Sequence, residues 1–297
     1  MKYSTLQNFL LTVLLFISST SLFGQKLNPK KRIQEPDTTI SSKIMGKDYQ
    51  LYISFPSGYS IKDTTQYPVL YVLDGQPSFP QFKSARESMD LGKELEGVIM
   101  VGIGSGLNLP SWFINRSYDY TPSEDTSSDR RMEKQYGFPK GLIHSGGAEK
   151  FLLCITKEII PYIDKQYKTT NDRGITGHSL GGLFTAYCLL NSKGVFSRYG
   201  INSPSLWWNN NQILNQADSL FSKNKTWDIS PVKVFISVGQ KEGPLMVPTM
   251  AKFSTLLESK AYKNVSLTWH IFEDETHLSV SPASLSRTLS VLYGAKK

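Results

Sequence analysis

Arg173-Gly174-Ile175-Thr176-Gly177-His178-Ser179-Leu180-Gly181-Gly182 is the stretch on which the fold turns. Arg173 to Thr176 reads as a short strand, and Leu180 to Leu190 as an apolar helix. Between them Gly177, Ser179 and Gly181 stand in a G-x-S-x-G spacing. That spacing suits a sharp strand-to-helix turn that lifts a serine hydroxyl clear of a sheet. Side chains at 177 and 181 are expected to collide with such a turn, which accounts for glycine at both. The helix beginning at Leu180 adds free amide donors and a positive dipole end beneath the serine. A glycine-rich turn with a solvent-exposed serine would share the pentapeptide but not its place between a strand and a helix.

On either side of this turn, Pro68 to Leu73 and Val98 to Ile103 are continuous apolar runs, the pattern of strands buried on both faces. Tyr49 to Phe55 alternates with period two, as a half-exposed antiparallel strand does. Tyr199 to Ile201, Val232 to Val238 and Val265 to Phe272 complete the expected buried strands. Phe151, Ile155, Ile159 and Ile163 share one helical face, with a kink expected at Pro161. Val247 to Leu257 and Leu285 to Leu292 read as further helices. Strands alternating with helices imply an α/β class with a mostly parallel sheet covered on both faces. With the serine turn, the expected architecture is the α/β-hydrolase fold. Residues 107–147 break the rhythm: they are polar, rich in Gly and Pro and weakly periodic, and read as an irregular insertion that caps or binds a substrate.

A serine nucleophile needs a base, and the chain has 4 histidines. His178 adjoins the serine and is expected to point away from it. His270 lies within an expected core strand, and His144 falls in the insertion ahead of Ser179. His277 follows the last strand and fits the chain order serine, acid, histidine. The acid belongs on a loop after a strand between these two, where Glu242 stands; a Ser–His dyad without it is the rival arrangement. The oxyanion donors are expected to be the backbone amides of Leu180 and Gln76, the second in the Asp74-Gly75-Gln76 turn after an early central strand.

Composition fits an ordinary globular protein, with 39% hydrophobic and 20% charged residues and a net charge of +8. The Lys and Arg residues are scattered, which argues against a nucleic-acid module. Lys2, the apolar run Phe9 to Ile17 and the small-residue stretch to Gly24 read as an export leader. The run is shorter than the roughly 20 residues that span a bilayer, so no stable membrane insertion is expected once it is removed. The expected organisation is a leader over residues 1–24 and one domain over 25–297, periplasmic or secreted. Cys154 and Cys188 lie in helical segments without metal-ligand spacing and are expected to be free thiols. The expected chemistry needs no metal or organic cofactor.

Tyr71-Val72-Leu73-Asp74-Gly75, the stretch Asn115 to Pro122, Gly177 to Gly182, the stretch Ser203 to Trp208, and the Glu242 and His277 loops together resemble the family named "Putative esterase" (esterase D-like). The likeness is to its enterochelin esterase-like exported members and runs from about residue 36 to the end. It implies ester hydrolysis by a Ser–His pair, with or without a strong acid. Members of that family act on trilactone siderophores, on acetyl or feruloyl carbohydrate esters, or on thioesters, and a few are acyltransferases. The leading expected substrate is a catecholate trilactone siderophore or its anionic ferric complex. Carbohydrate esters, or a ligand-binding protein without turnover, are the alternatives. Arg116 matches a family arginine near the active site and is expected to meet the substrate; Arg130, Arg131 and Lys134 read instead as a solvated face. Trp207 and Trp208 follow a strand end and are expected to stack on an aromatic or sugar ring, or in part simply to pack.

Overall fold

The computed structural model describes residues 34–106, 108–223, 227, 231–259 and 262–295, and the expected leader lies outside them. The strands of the unit Glu35–Lys297 are β1 (Thr38–Ser42), β2 (Lys47–Ser54), β3 (Tyr67–Leu73), β4 (Ile99–Gly104), β5 (Thr169–His178), β6 (Arg198–Asn202), β7 (Val232–Gly239) and β8 (Val265–Phe272). They form one sheet in the order β1-β2-β4-β3-β5-β6-β7-β8. β1 and β2 pair antiparallel, as do β2 and β4; every later pairing is parallel. This is the α/β-hydrolase fold expected from the alternation of strands and helices.

The helices are α1 (Gly75–Leu91), α2 (Leu109–Asp119), α3 (Thr126–Tyr136), α4 (Ala148–Cys154), α5 (Ile160–Gln166), α6 (Leu180–Asn191), α7 (Trp208–Lys223), α8 (Met246–Glu258) and α9 (Val280–Tyr293). They divide the core in two. Leu70 and Val72 face Phe79 of α1 and Leu289 of α9, whereas Val69, Tyr71 and Leu73 belong to the cluster holding Phe151, Ile155 and Phe184. A strand covered on both faces needs apolar side chains at every position, which is why β3 and β4 read as unbroken runs.

Four expectations need correction. β2 is buried on both faces rather than one, because Tyr49 stacks on Phe151 (5.3 Å) while Tyr52 packs on Phe79 (5.9 Å). Among the described residues β8 is an edge strand, paired with β7 alone and half exposed, so His270 is a surface residue and not a core one. The break in the Phe151–Ile163 helix is a π turn over Ile155–Ile159, just ahead of Pro161. It widens the backbone where the proline ring would press on the carbonyl four residues back. Finally, the insertion is not irregular: α2 and α3 lie within it. Asn108 and Ser111 form a reciprocal capping box on α2, and Asp125 accepts from the amides of Ser127 and Ser128 to start α3. Such local caps fix short helices whose apolar periodicity is weak. Cys154 and Cys188 are both free and buried.

Candidate active site

Apart from Arg116, which lies on α2 in the insertion, the candidate residues follow the C-terminal ends of parallel strands, the edge where open α/β sheets bind ligands. Ser179 follows β5 with φ 62 and ψ −119, a left-handed conformation that L side chains seldom adopt. Its amide donates to the Asn202 carbonyl (3.1 Å), and its own carbonyl accepts from Ser205 N (3.2 Å) and Leu183 N (3.0 Å). The turn is tight at two glycines. A Cβ on Gly177 would lie 2.6 Å from the Gly181 backbone, and one on Gly182 would lie 2.5 Å from the Asn202 carbonyl oxygen. At Gly181, where a collision is expected, the nearest atom is Asp74 Oδ2 at 3.3 Å. The crowding at Gly177 comes from the turn itself, and that at Gly182 from the end of β6, which Gly181 does not meet.

Ser179 Oγ lies 3.0 Å from His277 Nε2, and His277 Nδ1 lies 2.6 Å from Glu242 Oε2. Glu242 Oε1 accepts from Ser203 Oγ and from the Gly239 amide, each at 2.6 Å. Burial pushes the Glu242 carboxyl upward, but the hydrogen bonds from His277, Ser203 and Gly239 outweigh it and hold the group below the usual carboxylate range. The carboxylate is therefore ionised and placed to orient the ring and stabilise an imidazolium. Ser203 opens the Ser203 to Trp208 stretch directly after β6, but sequence reasoning assigns it no role at the site. The loops after β7 and β8 are bound together, with Lys241 N donating to the Glu275 carbonyl (2.8 Å) and Gln240 N to that of Phe272 (2.8 Å). The candidate acid and base thus rest on a shared support.

His178 ends β5 next to Ser179. Its ring packs against that of His277 (centroids 4.6 Å apart), and among the described residues neither of its buried nitrogens has a partner. Burial, with the neighbouring His277 second, pushes its pKa down to about 3, so it stays neutral beside the candidate base.

Leu180 opens α6 and Gln76 lies in the first turn of α1, where backbone amides have no carbonyl four residues back within the helix. Asp74, in the left-handed region at φ 53, precedes α1. Arg116 is 7% exposed and grips that carboxylate with Nε (2.8 Å) and Nη2 (3.0 Å). The rest of its sequence motif anchors the insertion. Asp119 receives Tyr49 Oη (2.9 Å) and Lys47 Nζ (2.7 Å) from β2, and Thr121 Oγ1 accepts from Gly146 N (2.7 Å).

Ser179, His277 and Arg116 open on a cleft of about 270 Å³ lined also by Phe113, Tyr136 and Trp207. Phe113 packs against Tyr136 (4.4 Å) and Phe138 (5.4 Å), which makes an aromatic wall from the insertion. The two tryptophans part company. Trp207 is half-buried, with Nε1 near Met246 Sδ (3.3 Å), whereas Trp208 is 1% exposed and donates to the Ser123 carbonyl (3.3 Å), tying α7 to the insertion. A larger cleft of about 560 Å³ lies at the opposite end of the sheet beside Arg198 and Lys233, and no histidine lines it.

The sequence profile of the family described as "Putative esterase" matches residues 42–274. The chain is 30% identical over 257 residues to ferri-bacillibactin esterase BesA of Bacillus subtilis (strain 168), covering 84% of this chain and 86% of that protein. To a siderophore enterobactin esterase of Emericella nidulans it is 29% identical over 210 residues, covering 67% and 68%. The crystal structure of an IroE-like serine hydrolase from Shewanella oneidensis superposes with a TM-score of 0.70 at 27% identity, covering 87% of this chain and 79% of that one.

Proposed function

The chain belongs to the "Putative esterase" family and is a carboxylic-ester hydrolase, and from that premise we propose that it works through an acyl-enzyme on Ser179. The observation that carries the proposal is the line of contacts Ser179 Oγ–His277 Nε2–Glu242, at 3.0 and 2.6 Å. In this mechanism Ser179 Oγ attacks the ester carbonyl carbon while His277 Nε2 takes its proton. The Leu180 and Gln76 amides receive the oxyanion. Collapse of the tetrahedral species breaks the ester C–O bond, and His277 returns the proton to the departing alkoxide. Water, deprotonated by the same nitrogen, then releases the acid and restores Ser179. Glu242 keeps Nδ1–H directed at itself throughout, which leaves Nε2 free to accept.

The proposed substrate is a catecholate trilactone siderophore or its ferric complex. Support comes from relatives named for ferri-bacillibactin and for siderophore enterobactin, and from the aromatic lining of the cleft. A ligand of that size would set one catechol arm against Phe113, Tyr136 and Trp207, bring a ring ester to Ser179 and keep its bulk outside. The leader over residues 1–24 would deliver the enzyme to the periplasm or beyond. Among the described residues no helix is long and apolar enough to cross a membrane.

Mass spectrometry of a ferric tris-catecholate trilactone incubated with the mature protein tests this reading. Linearised fragments are expected from wild type and not from Ser179→Ala, whose turnover should fall by about 10⁶-fold. An intact trilactone would overturn the substrate assignment, and Ser179→Ala activity within about tenfold of wild type would overturn the mechanism. Glu242→Gln should cost about a hundredfold or more in kcat; a loss of only a few fold would leave a Ser–His dyad.

A further inference from the structure

We propose that Arg116 and Asp74 form a strut that holds the oxyanion loop against the serine turn, so that Arg116 serves the reaction as a positioning residue through Asp74 and not as a substrate ligand. The inference rests on the Ser179 hydrolase reading.

Asp74 is the last residue before the α1 amides, and it is left-handed at φ 53 and ψ 47. A non-glycine residue persists there only where its surroundings hold it. Three side chains do so, all from the insertion. Arg116 contributes Nε and Nη2, and Trp112 Nε1 donates to Oδ1 at 2.8 Å. The Tyr120 hydroxyl accepts from the Asp74 amide at 2.9 Å. Trp112, Arg116 and Tyr120 are spaced four apart on α2 and its C-cap, so one helical face meets the carboxylate and the amide of one residue. The guanidinium also stacks over both rings, 4.9 Å from Trp112 and 5.4 Å from Tyr120.

The far end of the strut touches the serine turn. Arg116 Nη2 reaches the His178 carbonyl at 3.4 Å, one residue before Ser179. Asp74 Oδ2 lies 3.3 Å from the position a Gly181 Cβ would take, one residue after Leu180. The two loops that carry the Leu180 and Gln76 amides are thereby joined through one buried ion pair. With Nε and Nη2 both committed in this way, Nη1 alone is left uncommitted beside the cleft.

The test uses p-nitrophenyl butyrate, a small neutral ester with nothing for an arginine to recognise. For Asp74→Asn and Arg116→Met, kcat is expected to fall by about tenfold or more, a fraction of the roughly 10²–10³ lost when an oxyanion donor is removed. KM should stay within about threefold, and the double variant should be no worse than the weaker single one within about threefold. Trp112→Phe, which removes one hydrogen bond and keeps the ring, should lower kcat by about threefold at an unchanged thermal midpoint. It decides the matter if the charge variants do not fold. Wild-type kcat in the Asp74→Asn and Trp112→Phe variants would overturn the strut. So would an Arg116→Met effect confined to KM for the ferric trilactone. If wild-type butyrate hydrolysis does not depend on Ser179, it is the hydrolase reading that fails, and the strut falls with it.

Discussion

His178 and Glu242 show how two neighbours of one base can be pushed in different directions for different reasons. Glu242 is buried yet kept charged by three hydrogen-bond donors, while His178 is buried with no partner on either nitrogen and kept neutral. The sign of the resulting pH dependence follows directly. The folded His178 takes a proton only near pH 3, against about 6.5 in the unfolded chain, so between those values the unfolded state binds more protons. Its contribution to stability is complete above about 6.5 and lost as pH falls toward 3. Urea midpoints at about pH 7 and pH 4.5 should therefore drop further for wild type than for His178→Asn. Equal drops would mean that the ring titrates as a solvated histidine. At this scale the contact of Ser179, His277 and Glu242 was legible because chemistry and chain order restrict it: one serine in the turn, one histidine after the last strand, and, among several carboxylates between them, one on the loop directly after β7. Ser203 and Asp74 were not, because their roles come from side chains brought in from distant segments, as when Trp112 and Arg116 converge on Asp74.

At the scale of elements, the serine turn is a junction between β5 and α6 that β6 braces from the side. Gly182 marks the brace, with the Asn202 oxygen and Pro204 Cα at 2.5 and 3.0 Å from a prospective Cβ, both backbone atoms with little freedom to yield. Gly182→Ala is expected to destabilise the fold by about 1–3 kcal/mol through overpacking, measured by urea denaturation, and to lower kcat because the turn must shift. Gly181→Ala, facing the Asp74 carboxylate at 3.3 Å, should be the milder of the two in stability. The reverse order would show that the turn and not the strand sets the constraint. The sequence motif points to glycine at 177 and 181; the demand at 182 arises from tertiary packing, which no spacing within the pentapeptide reports. The insertion gives the same lesson. Its helices are specified by Asn108–Ser111 and Asp125–Ser127–Ser128 contacts within a turn of chain, signals that a search for apolar periodicity passes over.

At the scale of the whole molecule, the parallel sheet was legible because strands covered by helices on both faces have to be apolar throughout, as Val69 to Leu73 and Ile99 to Ile103 are. The same rule misplaced β8, since Val265 to Phe272 looks apolar enough for the interior although Trp269 is 44% exposed at the sheet edge. Sequence shows how apolar a strand is, not how many neighbours it has. The edge position bears on how this enzyme would age in heat. Among the described residues the strand leading to His277 is hydrogen-bonded on one side only, and the residue after that histidine, Leu278, is 81% exposed. Elements with few neighbours open at lower free energy than the core. Because the Glu242 loop is pinned to the β8 loop, fraying of this margin would disperse base and acid together while β3 and β5 remain folded. Turnover is then expected to vanish several degrees below the melting temperature and to return on cooling, with amides of 265–277 exchanging with deuterium ahead of those in β5. Loss of activity and of ellipticity at one temperature would instead place the margin on the same footing as the core, and protection against heat would have to be sought elsewhere than at this edge.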